Sequence, residues 1–175
     1  MTEVRIEIIA GAGGRESHAW AEMLLHMYER WAARQSYSVT AKEAKLQHAV
    51  IEMSGTGAER LYAEHGIHRL VRISPSDPQN RRHISFVAVC VTPIVEGHII
   101  APPPSWHDRS SGHQIRSYVL DPYKMAKDLR TGITREDVEA VLDGDIDDFL
   151  DGAAAAGIPW DFDPEGPASC AAVAD

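Results

Sequence analysis

Between residues 4 and 9 apolar Val4, Ile6 and Ile8 alternate with charged Arg5 and Glu7, the period-two signature of a half-buried β-strand. Gly11-Ala12-Gly13-Gly14 breaks that strand. Over 16–33 the period changes. Trp20, Met23, Leu24, Met27, Tyr28 and Trp31 recur at helical spacing and predict one amphipathic helix with an aromatic stripe toward the core. Short strands are predicted over 37–40 and 48–53. The runs 67–73 and 82–91 are rich in β-formers and predict a hairpin. Its loop is Ser74-Pro75-Ser76-Asp77-Pro78-Gln79-Asn80-Arg81, whose prolines and turn formers cannot continue a ladder. Loops of this length, held out by rigid strands, commonly carry function.

Further along, 93–113 holds Pro102, Pro103 and Pro104 followed by a polar run, which reads as an extended linker. A strand is predicted over 115–120. A helix is predicted over 145–156, with Asp145, Asp147 and Asp148 in its first turn complementing the helix dipole. The fold class is therefore α+β, a mixed β-sheet with one long amphipathic helix and a C-terminal helix. The expected division is a first part over 1–100, a proline-rich linker over 101–113, a second part over 114–156 and a disordered acidic tail over 157–175.

Composition narrows the classes of function. With 44% apolar and 25% charged residues the chain can bury a core. No apolar run reaches the roughly 18 residues of a membrane span, and the N-terminus carries charge where a signal peptide is apolar. A cytoplasmic protein with no membrane partner is expected. Two cysteines, Cys90 and Cys170, are too few for a disulfide framework or a zinc site. The net charge is −9, unevenly spread: 4 Lys+Arg face 14 Asp+Glu over 121–175, whereas 6 face 4 over 61–120, which also holds six of the nine histidines. Clustered cations in that middle third can dock on phosphate whatever the total charge, although a solvated strand face is an equally ordinary reading.

Several motifs fail on inspection. Gly11-Ala12-Gly13-Gly14 sits between a strand and a helix, as phosphate loops do, but lacks both G-x-x-x-x-G-K-[ST] and the third glycine of the dinucleotide fingerprint. His65 and His68 would project to opposite faces of a strand. Asp143, Asp145 and Asp147 imitate the start of a calcium loop, yet Asp148 and Ala154 stand where glycine and glutamate are needed. No metal site, cofactor or catalytic residue is expected.

The run Glu64-His65-Gly66-Ile67-His68-Arg69-Leu70-Val71-Arg72-Ile73-Ser74-Pro75-Ser76-Asp77, followed by Arg81-Arg82-His83-Ile84-Ser85-Phe86, resembles bacterial class I peptide chain release factors, in particular those that read UGA and UAA. The resemblance recurs in order at Gly11–Glu16, Trp20–Leu25, Ile115–Leu120, Lys127–Gly132 and Val141–Asp145, and covers about residues 4–155. It implies a release-factor codon-recognition superdomain. By the same resemblance Gly13 and Glu16 face the first uridine of the codon. Ser74, Pro75 and Ser76 form the tripeptide that reads the second base, and His83 stacks against splayed bases, with Ile84 beside it. Arg69, Arg72, Arg81 and Arg82 would contact rRNA phosphate.

The pattern also departs from the family. The tripeptide is Ser-Pro-Ser rather than Ser-Pro-Phe, and Ile84 replaces a threonine. No Gly-Gly-Gln occurs anywhere in the chain, although the family carries it on a separate domain between the strands ending near Val91 and starting at Ile115. Nor does the resemblance include the family's N-terminal helical domain. Peptidyl-tRNA hydrolysis by the family route is therefore not expected, and whether the chain is an enzyme stays open. Three functions compete: a monomeric, non-hydrolytic competitor or modulator at the ribosomal A site, binding decoding-centre rRNA and an mRNA stop codon; a rescue factor that releases peptide without Gly-Gly-Gln; and a non-ribosomal protein-interaction domain.

Overall fold

The computed structural model describes residues 1–11, 14–100 and 114–158. Among them, nine strands form one mixed sheet. These are β1 (Thr2–Ala10), β2 (Ser38–Ala44), β3 (His48–Gly55), β4 (Gly66–Ile73), β5 (Arg82–Val95), β6 (His98–Ile99), β7 (Gln114–Val119), β8 (Met125–Asp128) and β9 (Thr134–Arg135). The order is β2-β3-β1-β5-β4-β7-β8-β9, with β6 folded back on β5. Every pairing is antiparallel except β4 with β7, which is parallel.

Helix α1 (Arg15–Arg34) lies across one face of this sheet. The periodicity read from the sequence explains why. Val4, Ile6 and Ile8 of β1 point to the same side as Trp20, Leu24, Met27, Tyr28 and Trp31, and all are fully buried. The indole N–H of Trp20 reaches through the core to donate to the carbonyl of His68 at 3.0 Å, as a buried indole must find an acceptor. Its ring packs edge-on against Tyr118 at 4.9 Å.

Three features depart from the sequence expectation. Glu7, placed on the polar side of β1, is fully buried, where it takes bonds from Arg5 at 3.3 Å and His48 at 2.9 Å. The strand that holds His83 does not stop at 91. It runs through Pro93 to Val95, then turns into β6, so 93–100 is ladder rather than linker. Residues 101–113 and the tail from 159 onward lie outside the described residues. Short elements also went unforeseen: a 3-10 helix over Ala58–Glu64, β8, β9 and helix α2 (Val138–Leu142). Helix α3 (Asp147–Ala155) occupies most of the span predicted for the C-terminal helix.

A buried ionic cluster ties β7 and β8 to the rest. Arg116 of β7 is fully buried; its Nη1 reaches Glu64 at 2.6 Å and its Nη2 reaches Asp128 at 3.1 Å. Tyr28 of α1 donates to the same Glu64 carboxylate at 2.8 Å, and the guanidinium carbon lies 4.3 Å from the centre of the Phe149 ring. Charges are tolerated this deep only when paired and hydrogen-bonded. Burial pushes the Glu64 carboxyl up, but Arg116 and the neighbouring donors outweigh it and hold the group ionised. At the turn between α2 and α3, Gly144 has φ +101°, and a Cβ there would meet the Trp31 backbone nitrogen at 2.7 Å. Only glycine lets that turn press on α1.

Candidate functional site

Strand register decides which residues of the β4–β5 hairpin can act together. Arg72 stands opposite His83, and that pair points toward the helix-bearing face. Val71 with Ile84, and Arg69 with Phe86, alternate to the reverse face. His83 is therefore directed toward α1, while Ile84, 54% exposed, is directed away from it.

On the helix side, the first turn of α1 meets the hairpin loop. Gly14 opens the helix at φ +62°, and the Ser17 hydroxyl donates into that turn, to Gly11 O at 2.9 Å and Gly14 O at 3.0 Å. This leaves Glu16, in the first turn, aimed at the loop, where a carboxylate also complements the helix dipole. Its Oε1 takes Arg72 Nε–H at 2.5 Å and its Oε2 takes the Ser74 hydroxyl at 2.7 Å. Burial pushes this carboxyl up, but the bonds from Arg72 and Ser74 win and hold it below the usual range.

The loop itself is organised by side chains. The Ser76 N–H donates to Ser74 Oγ at 3.3 Å, and the two hydroxyls lie 3.2 Å apart. Asp77 is the hub. Its Oδ1 takes the Gln79 N–H at 2.8 Å, an Asx-turn contact, while its Oδ2 takes Arg81 Nε–H at 2.8 Å and lies 2.8 Å from His83 Nε2. The bonds from Arg81 and His83, followed by that from Gln79, hold the Asp77 carboxyl well below the usual range.

Together these groups line an open cleft of about 240 Å³, walled by Arg15, Glu16, Ser74, Ser76, Arg81 and His83. It adjoins a larger trough of about 560 Å³ between α1 and the β2–β3 hairpin, sharing Arg15 and Ser76 with it. Of the residues singled out from the sequence, Glu16, Ser74, Ser76 and His83 thus converge on one concave surface. Pro75 is exposed on the same loop. Gly13 lies outside the described residues. Ile84 does not join the cleft.

The four arginines do not form one patch. Arg72 is spent on Glu16, Arg81 stands at the cleft rim with its side chain 66% exposed, and Arg69 and Arg82 lie on the reverse face with Phe86 and Ile84. Arg15 and Asp77 escaped the sequence reading as site residues. The signal for Asp77 was present in Ser-Asp-Pro-Gln-Asn, an Asx-turn composition in which the aspartate caps backbone two residues on. Among the described residues no group of three or more His, Cys, Asp or Glu side chains could hold a metal ion. No helix among them is long and apolar enough to cross a membrane.

Comparison with known proteins gives a consistent result. The PCRF domain family matches residues 1–89. Peptide chain release factor 2 of Paramagnetospirillum magneticum is 33% identical over 242 residues, covering 90% of this chain and 65% of that protein. The release factor 2 of Phenylobacterium zucineum is 33% identical over 235 residues, covering 86% and 63%. The solved structure of RF2 of Thermus thermophilus superimposes with a TM-score of 0.72 at 29% identity, over 90% of this chain and 69% of that one. The chain thus spans slightly less than two thirds of the two curated relatives. Alignments longer than its own 175 residues leave a long stretch of each relative without a counterpart here.

Proposed function

Because the chain belongs to the PCRF-domain family and is similar to peptide chain release factor 2, we propose that it acts in translation termination as a ribosome-binding decoding module. It occupies the A site and reads the stop codon without hydrolysing peptidyl-tRNA, which makes it a competitor or modulator of termination. The observation that carries this reading is the cleft: Glu16, Ser74, Ser76 and His83 meet on one concave surface rimmed by Arg15 and Arg81. That set suits a short stretch of single-stranded RNA. Hydroxyls and a carboxylate hydrogen-bond base edges, an imidazole stacks on a splayed base, and guanidinium groups meet phosphate.

Two further observations support the non-hydrolytic part. The sequence holds no Gly-Gly-Gln, and the alignments pass over a long stretch that the relatives have and this chain does not. The overall charge of −9 repels RNA at a distance, so affinity rests on the local cations and falls with added salt.

The test uses purified ribosomes with labelled peptidyl-tRNA in the P site and a stop codon, a sense codon or no codon in the A site. Stop-dependent binding without peptide release is expected. Release of peptide would instead make the protein a rescue factor, and absence of any ribosome association would remove the translational reading.

A further inference from the structure

Asp77 has no role in the function above, yet it is the most heavily bonded group of the cleft. Its side chain is 4% exposed, Gln79 N–H occupies one carboxylate oxygen, and Arg81 Nε and His83 Nε2 share the other, both at 2.8 Å. An ionised carboxylate only accepts, so the hydrogen in the contact with His83 belongs to the imidazole. A neutral imidazole carries one N–H, and placing it at Nε2 leaves Nδ1 bare as an acceptor.

We propose that Asp77 is a positioning residue that fixes His83 as the Nε2–H tautomer and holds its ring at the cleft, so that the ring offers an acceptor at Nδ1 and no donor. For the neutral ring the tautomer follows from the loop geometry; its use in discriminating bases rests on the decoding function proposed above. His83 then favours a base edge that presents an N–H donor. Arg81 has a separate part: it neutralises the Asp77 charge on the solvent side and leaves the imidazole contact intact.

Asp77→Asn separates these roles. The amide oxygen can keep the Gln79 N–H, but an NH2 donor replaces the oxygen that faced His83. The imidazole must then accept at Nε2 and carry its hydrogen at Nδ1, inverting what it shows to a base. Nitrogen-15 NMR of the full chain, recorded through a pH titration and read on the neutral ring, gives the tautomer directly. Nε2–H is expected in the parent and in Arg81→Gln, and Nδ1–H in Asp77→Asn. Nδ1–H in the parent, or the same tautomer in parent and Asp77→Asn, overturns the proposal. Should Asp77→Asn not fold, the parent and Arg81→Gln spectra still decide it, since a change of tautomer in Arg81→Gln is equally fatal.

The second arm measures binding to ribosomes programmed with UAA, UGA or UAG. Asp77→Asn is expected to lose about tenfold on the parent's preferred codon, the scale of one charge-assisted bond, and to change the ranking of codons. Equal losses on all codons overturn the base-reading role. A parent that binds none of them refutes the decoding function instead, with the spectra still deciding the tautomer.

Discussion

The Ser74 hydroxyl donates to the Glu16 carboxylate at 2.7 Å across 58 residues of sequence, locking the hairpin loop to the first turn of α1. The loop therefore keeps its shape before any ligand arrives. Preorganisation of this kind lowers the entropy cost of binding.

Replacing Glu16 by glutamine removes the charge that Arg72 and Ser74 share. The variant is expected to lose about 1–3 kcal/mol of stability, the cost of weakening hydrogen bonds to a buried charged group. Urea titration measures the loss, and faster amide exchange should be confined to the loop over 74–81. Loss of stability without faster exchange there would show that Glu16 does not brace the loop.

Arg116 sits between two carboxylates with no exposure of its own. Arg116→Met should cost about 3–5 kcal/mol, because it strands a buried charge. Adding Glu64→Gln to that variant should recover part of the loss. Two independent, additive losses in a double-mutant cycle would contradict the cluster.

His68 is fully buried, and its Nε2 lies 2.8 Å from the Glu64 carbonyl. Desolvation by burial pushes its pKa from 6.5 down to about 4, against the pull of Glu64. The unfolded chain therefore takes up this proton first, and stability falls as pH drops from about 6.5 toward 4. His68→Gln should flatten that part of a stability–pH curve, read as the urea midpoint at each pH. An unchanged slope would assign the dependence elsewhere.

Ile84 and His83 are neighbours in sequence but occupy opposite faces of β5. Ile84→Thr should change stability by less than about 0.5 kcal/mol, as exposed substitutions usually do. It should also leave binding to stop-programmed ribosomes unaltered, whereas His83→Ala should weaken it. A gain of codon selectivity in Ile84→Thr would mean that the reverse face also meets the codon.

Much of the fold was legible in hydrophobic period. The alternation of Val4, Ile6 and Ile8 and the stripe from Trp20 to Trp31 each specify an element and its buried face, and the structure forms both. The short pieces were not legible. Four residues of β8 or five of α2 complete too little of either period, and tertiary contacts determine their conformation. Burial of Arg116 was unreadable for a related reason, since a lone arginine in a strand pattern reads as solvent-facing until its two carboxylates are brought to it.

The candidate site divides the same way. Convergence of Glu16 with Ser74 and His83 came from resemblance, because no spacing rule joins a helix start to a loop 58 residues on. The opposite orientations of His83 and Ile84, by contrast, follow from the two-residue period of any strand. Asp77 was overlooked because loop hydrogen bonding has no period, and only the turn chemistry of aspartate marks it.

The parallel pairing of β4 with β7 bears on how the molecule is made. While synthesis proceeds from the N-terminus, β4 is an uncovered edge with unpaired backbone groups, and Glu64 has no guanidinium opposite it. Both conditions end only when β7, which carries Arg116, emerges. Until then the nascent chain carries the kind of open strand that invites pairing with other chains. A product terminated before residue 114 would therefore be a substrate for chaperones or proteases rather than a smaller working copy of the protein.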